Sequence, residues 1–262
     1  MKWDAAIRER GWILKEGDRY LLWYTGYDGA KTSRKRLGLA TSPDGRVWTR
    51  SGENPLPPDA WVEDMMVVKE NGRYHMFAEG EKDVAQELTS DDGIHWVRIG
   101  PLDVRKTNGE PISAGAFGTP TVWVENGTWH LFYERSDKGV WLATSRDRKV
   151  WTNVSDEPVL ARGQTGADRF AIALNQIVKH GGRYYAFYHG SDLPSWKEWT
   201  VNVAVSSDLR SWTKYSGNPI ATNNESSGIV VRTGRGVELF TMHGMVRRHA
   251  PAPATQPSAS PK

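Results

Sequence analysis

The chain has 262 residues, 38% apolar and 25% charged, enough to bury a sizeable core, and no uninterrupted apolar run approaches the roughly 20 residues a membrane-crossing helix needs. It contains no cysteine, which excludes disulfides, thiolate nucleophiles and thiolate metal sites. The formal charge of +3 is scattered, and its one cluster, Lys31–Arg36, reads as a solvated loop rather than a nucleic-acid site.

Met1-Lys2-Trp3-Asp4 leads almost directly into a strand without a charged-then-apolar leader. That is the pattern of a cytoplasmic protein as the chain stands, or of a secreted or periplasmic one whose leader has been removed. The first hairpin follows as Gly11–Gly17 and Arg19–Tyr24. In the second, Trp61–Glu70 and Arg73–Gly80 are joined by Asn71-Gly72, a pair that tolerates the positive φ of a tight turn. A third runs through Pro120–Gly127 and Thr128–Glu134, a fourth through Ala171–Gly182 and Arg183–His189, and a fifth through Gly228–Gly236 and Val237–Met242.

The first four hairpins are each followed by a short strand, at Leu37–Thr41, Ala85–Thr89, Val140–Thr144 and Val201–Ser206, and then by the pattern Ser-x-Asp-x-x-x-Trp. The pattern occurs at Ser42/Asp44/Trp48, Ser90/Asp92/Trp96, Ser145/Asp147/Trp151 and Ser206/Asp208/Trp212, with tryptophans 48, 55 and 61 residues apart. Periods near 50 residues mark propeller blades, so the chain is read as all-β: a single five-bladed β-propeller over residues 1–249, with four antiparallel strands per blade. The fifth unit has lost the turn, and Met245–His249 offers it a third strand. A two-sheet sandwich is the rival fold. Residues 250–262, rich in Pro, Ala and Ser, are expected to be a disordered tail.

Aligned by its hairpins, the chain resembles the five-bladed propeller glycosidases, the superfamily that includes glycoside hydrolase families 32, 43, 117 and 130. The Ser42–Trp48 turn is common to many of these enzymes. Val62-Glu63-Asp64 is similar to the Glu-Asp-Pro-Arg segment of family 130, and Tyr188-His189-Gly190 to that family's Tyr-His-Gly. Met65-Met66 stands where that motif has Pro-Arg, which removes an arginine that would help hold phosphate. Phe117-Gly118-Thr119-Pro120 stands where family 43 carries its third-blade glutamate.

Ligand pockets of propellers open where the innermost strands begin, and alignment from the turns brings Glu9-Arg10, Glu63-Asp64, Gly118-Thr119, Ala173-Leu174 and Ser227-Gly228 to one ring. Glycoside cleavage needs a proton donor and a second carboxylate. Asp64 is the first choice, with Glu63 beside it. Adjacent strand residues face opposite ways, so both reach the pocket only if the strand begins with a bulge. Asp4 and Glu9 compete as the first-blade acid. A second tier, Thr25, Glu79, Glu134, His189 and Met242, lies at equivalent points of the second strands, and Glu134 is placed to replace the missing third-blade glutamate. Arg10, Trp61, Glu79, Phe117, Asp168, Arg169 and His189 are the substrate-binding candidates, with Trp196 and Trp199 as further aromatic surfaces. The long connections Pro101–Gly118 and Ser191–Trp199 are placed to wall the pocket.

No metal-ligand spacing and no nucleotide-binding glycine loop occurs in the sequence, so no cofactor is expected beyond a calcium or sodium ion in the axial channel. The expected partner is an oligosaccharide or polysaccharide, with no nucleic acid and no membrane. The leading function is hydrolysis of a glycosidic bond; the alternatives are a family-130-like phosphorylase, a non-catalytic carbohydrate-binding propeller and a protein-interaction propeller.

Overall fold

The computed structural model describes residues 2–112, 117–233 and 236–249. They form five small, mainly antiparallel sheets around an axis. Blade one comprises β1 (Ala6–Glu16), β2 (Arg19–Tyr27), β3 (Arg36–Ser42) and β4 (Thr49–Arg50). Blade two comprises β5 (Glu63–Glu70), β6 (Arg73–Glu79), β7 (Ala85–Ser90) and β8 (Val97–Pro101). Blade three is a six-stranded sheet built from β9 (Asp103–Arg105), β10 (Gly118–Glu125), β11 (Thr128–Glu134), β12 (Gly139–Ser145), β13 (Val150–Asn153) and β14 (Leu160–Ala161). Blade four has β15 (Ala171–His180), β16 (Arg183–Ser191), β17 (Trp199–Ser206) and β18 (Thr213–Lys214). Blade five stops at three strands, β19 (Ile229–Thr233), β20 (Gly236–Met242) and β21 (Val246–His249). The expected tail, residues 250–262, lies outside the described residues.

The hairpin turns adopt the conformations their residues favour: Asn71 and Gly72 sit at φ 51° and 83°, Asn126 and Gly127 at 51° and 71°. The recurring Ser-x-Asp turn works as its chemistry dictates. Ser42 Oγ accepts from Gly45 N at 2.8 Å and Asp44 Oδ1 from Arg46 N at 2.8 Å, and the same pair of bonds recurs at Ser90/Asp92 and Ser206/Asp208. Each turn brings its tryptophan back toward the blade. Trp151 is fully buried, and Trp96 packs edge-on against Trp23 of blade one at 6.0 Å, so the repeat also cements neighbouring blades.

Three departures from the sequence reading have physical causes. The connection over 101–118 is not simply a wall: β9 pairs in parallel with β13 at the outer edge of blade three, which satisfies its backbone there. Lys35 is not solvated with the rest of its basic cluster but buried, its ammonium 4.1 Å from the Tyr27 ring and bonded to Ser33 O at 2.9 Å. The third departure is the ring alignment. From Arg8 to Trp12 is four steps on β1 against two from Thr25 to Trp23 on β2, whereas Glu63 to Met66 is three steps against two on β6. Blade one therefore carries one more bulged residue than blade two, and counting from the turn overshoots. The ring is Arg8-Glu9, Glu63-Asp64, Gly118-Thr119, Ala173-Leu174 and Ser226-Ser227.

The bulges have a conformational signature. Glu9, Asp64, Thr119 and Ser227 all have positive φ, at 31°, 43°, 48° and 53°. This breaks the in–out alternation at the start of four inner strands, so adjacent residues there turn toward the same end of the axis. Directly beneath, the fully buried Arg10 closes the channel. Its guanidinium donates to Thr121 Oγ1 at 2.7 Å, Pro120 O at 2.8 Å, Leu174 O at 3.1 Å, Asn175 O at 3.2 Å and to Asp64 O. Past it, an axial cavity of about 600 Å³ opens at the opposite end, between apolar residues of all five inner strands with Lys15, Lys69, Glu70, Gln176 and Arg232 among its lining.

Candidate active site

The ring end of the axis is divided by chemistry. Blades one to three contribute carboxyl groups; blades four and five contribute histidines, an asparagine and serines. Glu9 and Asp64 lie close enough that each acts on the other's charge. Asp64 is buried and pushed up to about 7, first by its loss of water and then by the charge of Glu9, against the pull of Arg10 and Arg8. Burial also raises Glu9, with Arg8 opposing.

Glu63 is buried beside this pair. Arg8 Nε donates to its Oε2 at 2.7 Å and Trp61 Nε1 to its Oε1 at 2.6 Å, and burial raises it against the Arg8 attraction. The Glu-Asp pair thus divides its work: Asp64 meets Glu9, while Glu63 ties Arg8 and Trp61 to the rim.

Glu79 and Glu134 hold the second-strand positions predicted for them, paired with Glu63 and Gly118 across their hairpins. The Glu79 carboxyl accepts from the backbone N–H of Thr119 and, at 3.1 Å, from Thr119 Oγ1. It lies so close to blade three that a Cβ on Gly118 would stand 2.3 Å from Glu79 Oε1. Burial raises Glu79 well above the carboxylate range, and Asp64 and Asp83 add to it. Glu134 is pushed up to about 8, chiefly by burial, although its carboxyl accepts from the Asp137 N–H. Asp137, itself raised by burial, accepts from Trp196 Nε1 at 2.7 Å. Through that bond the 191–199 connection reaches from blade four onto blade three.

On the other half, His189 is buried. Asn175 Nδ2 donates to its Nδ1 at 2.9 Å, placing the ring proton on Nε2. Burial, with Arg10 and His243 nearby, lowers His189 to about 3, so it is a neutral imidazole at any ordinary pH. Trp199 stands edge-on to it at 4.8 Å. His243 is lowered by burial and by Arg8, and Ser226 Oγ lies 3.3 Å from its Nδ1.

Four candidates lie away from this constellation. Phe117 is buried against Tyr133, ring centres 5.9 Å apart, and belongs to the core. Asp4 accepts from Tyr24 OH at 3.0 Å and pairs with Arg50 Nε at 3.1 Å, bracing β2 to the outer strand of blade one. Asp168 repeats that brace in blade four, against Lys214 at 2.5 Å and beside Tyr188. Of the two first-blade acids it is therefore Glu9 that meets Asp64. Arg169 is exposed, stacked on Phe170 and bonded to Asp192 O at 3.0 Å. Arg10 is the floor of the site, with no face to solvent.

Sequence reasoning missed Arg8, Asp83, Asp137, Asn175 and His243. For two of these a signal existed: blades two and three both carry an aspartate shortly after the second-strand glutamate, Glu79 with Asp83 and Glu134 with Asp137, and both aspartates turn at positive φ. No group of three or more metal-ligating side chains is arranged to hold an ion among the described residues.

Comparison with known proteins bears on the fold. No protein-family profile matches the chain. Two uncharacterized proteins from strains of Mycobacterium tuberculosis are 25% identical over 199 residues, covering 69% of this chain and 66% of their own length. Among solved structures, one from a study of family 130 mannoside phosphorylases, which reports glycoside hydrolases targeting β-1,2 mannosidic linkages in Candida mannan, has a TM-score of 0.75 at 16% identity, covering 99% of this chain and 88% of that one. A glycosyl hydrolase from Bacteroides ovatus gives 0.72 at 15% identity over 95% and 85% of the two chains. A thermostable family-43 glycoside hydrolase gives 0.64 at 18% over 98% and 96%. The chain has the fold of the five-bladed propeller glycosidases.

Proposed function

We propose that the protein hydrolyses a glycosidic bond of an oligo- or polysaccharide. The observation carrying this reading is that carboxyl groups on neighbouring blades are poised near neutrality by different surroundings: Asp64 at about 7 beside Glu9, and Glu134 at about 8 in the lee of Asp137 and Trp196. Environments that set apart two acids around working pH are how glycosidases assign proton donor and base.

Glu134, protonated at pH 7, gives its proton to the leaving glycosidic oxygen as the carbon–oxygen bond breaks. The Glu9–Asp64 pair, once it has lost its shared proton, takes one from water as the hydroxide adds to the anomeric carbon. Neutral His189, Trp199 and Trp196 supply hydrogen bonds and an apolar face to the sugar. Against phosphorolysis, the Arg10 guanidinium is engaged by backbone carbonyls and Thr121, and Arg8 spends its Nε on Glu63.

The test is a hydrolysis screen of aryl glycosides and natural oligosaccharides, with and without phosphate, using wild type, Asp64→Asn and Glu134→Gln. Phosphate-independent turnover that falls at least about a hundredfold in each variant supports the assignment. Saccharide binding without turnover, unchanged in both variants, would leave a binding propeller instead.

A further inference from the structure

Next to the acid ring, blade five encloses a cavity of about 210 Å³ lined by Asn223, Asn224, Glu225, Thr241, His243 and Arg247. It is smaller than the roughly 300–1,000 Å³ of pockets that take drug-sized ligands, so it suits a single compact unit. His243 forms the shared wall: its ring lines the cavity and also lies close enough to feel the charges of Arg8 and Asp64. The cavity therefore borders the reacting centre.

Its chemistry is polar without a net field. Glu225 is buried and already answered by its own blade, with Thr241 Oγ1 at 3.0 Å, His249 Nε2 at 2.9 Å and Arg247 Nη1 at 3.5 Å. Asn224 spends its Oδ1 on the backbone N–H of Trp199 at 3.1 Å, which ties the pocket to the strand edge facing His189 and leaves its Nδ2 without a partner among the described residues. Asn223 is exposed, lines the cavity and makes no side-chain hydrogen bond to any described residue. Met245, 56% exposed, supplies the one apolar surface at the rim. Neutral donors and acceptors beside a small apolar face match sugar hydroxyls better than a charged group.

We propose that this cavity is a second saccharide subsite, receiving one uncharged sugar unit joined to the unit whose bond is cleaved. This rests on the glycosidase reading above, and it makes the natural substrate an oligosaccharide whose next residue contributes binding.

The test uses Asp64→Asn protein, so that ligands survive, titrated with mono- and disaccharides of mannose, arabinose, galactose and glucose. In the series that binds, the disaccharide should bind about tenfold more tightly than the monosaccharide. Asn223→Gly, which keeps the left-handed backbone and removes the amide, and Gly244→Trp, which adds bulk to the cavity's lining, should each bring that advantage below about threefold with monosaccharide affinity unchanged. Gly244 has open space beside it, and a thermal melt checks that the tryptophan variant is folded. A length advantage that survives both variants, or no length advantage in a series that binds, overturns the subsite and leaves the glycosidase reading standing. No saccharide bound by either wild type or Asp64→Asn overturns both.

Discussion

Replacing Asp64 by asparagine tests the charge economy of the ring without knowledge of the substrate. Asp64 is lifted from 3.8 to about 7 in the fold, and each pH unit of displacement corresponds to about 1.4 kcal/mol. Because the folded value is the higher one, the folded protein holds a proton that the unfolded chain releases between pH 4 and 7. The stabilisation from that proton is complete below pH 4, shrinks as pH rises, and is gone above pH 7, where an ionised buried carboxylate costs the fold on the order of 4 kcal/mol. Part of that cost is repulsion from Glu9, which bears on both partners, so about 2–4 kcal/mol is assigned to Asp64 itself. Asparagine keeps the oxygen that accepts from Arg10 N and cannot ionise. Urea unfolding of both proteins at pH 4.5 and pH 8.5 should show near-equal stability in acid and a variant more stable by about 2–4 kcal/mol in base. A variant equally or less stable at pH 8.5 would mean that Arg8 and Arg10 already compensate the charge, and the basis for a raised Asp64 would fail.

The kcat/KM of wild type should be bell-shaped in pH, rising through about 7 as the Glu9–Asp64 pair loses its proton and falling through about 8 as Glu134 ionises; in Glu134→Gln the residual activity should lose the upper limb. Gly118→Ala, whose new Cβ would stand 2.3 Å from Glu79 Oε1, should cost about 2 kcal/mol in urea unfolding and depress activity by displacing Glu79 from Thr119. Arg10→Met should cost about 3–5 kcal/mol by stranding buried carbonyl oxygens, and Arg10→Lys should recover only part of it, because three ammonium donors cannot serve five acceptors; equal stability of wild type and methionine variant would contradict the floor role. The His189 ring should show no NMR titration above pH 5, whereas a midpoint near 6.5 would place it in water.

What could be read in the sequence was whatever repeats along the chain. The Ser-x-Asp-x-x-x-Trp turns marked four blades and the hairpins all five, because side chain bonding to local backbone leaves the same trace wherever it occurs. The tier of Glu79, Glu134 and His189 was legible for the same reason, being a fixed distance from a turn. The ring positions of blades one and five were each misplaced by one residue because a bulge changes the count without a residue type that announces it. Asp4 and Asp168 looked like site acids because their partners, Arg50 and Lys214, lie on outer strands far along the chain. Their equivalence was nonetheless present in the sequence: Tyr24 with Asn54-Pro55 and Tyr188 with Asn218-Pro219 stand at matching offsets, and both asparagines bond to the tyrosine hydroxyl.

Arg10 also bears on the order in which the molecule is assembled. It lies on the first strand, yet its acceptors are 54 to 165 residues further along. An emerging chain that has made only blades one to three supplies Asp64 O, Pro120 O and Thr121 Oγ1 but still lacks Leu174 O and Asn175 O, so the guanidinium is only partly satisfied until blade four arrives. Solenoids grow by nearest-neighbour stacking, each unit adding its own increment of stability. Here the earliest blade is completed by one of the latest, so equilibrium unfolding is expected as a single transition rather than blade by blade. A plateau at intermediate denaturant would show that blades can separate without opening the axis. By the same logic, a cut between blades three and four should disable both pieces, and only their reassociation should restore the ring.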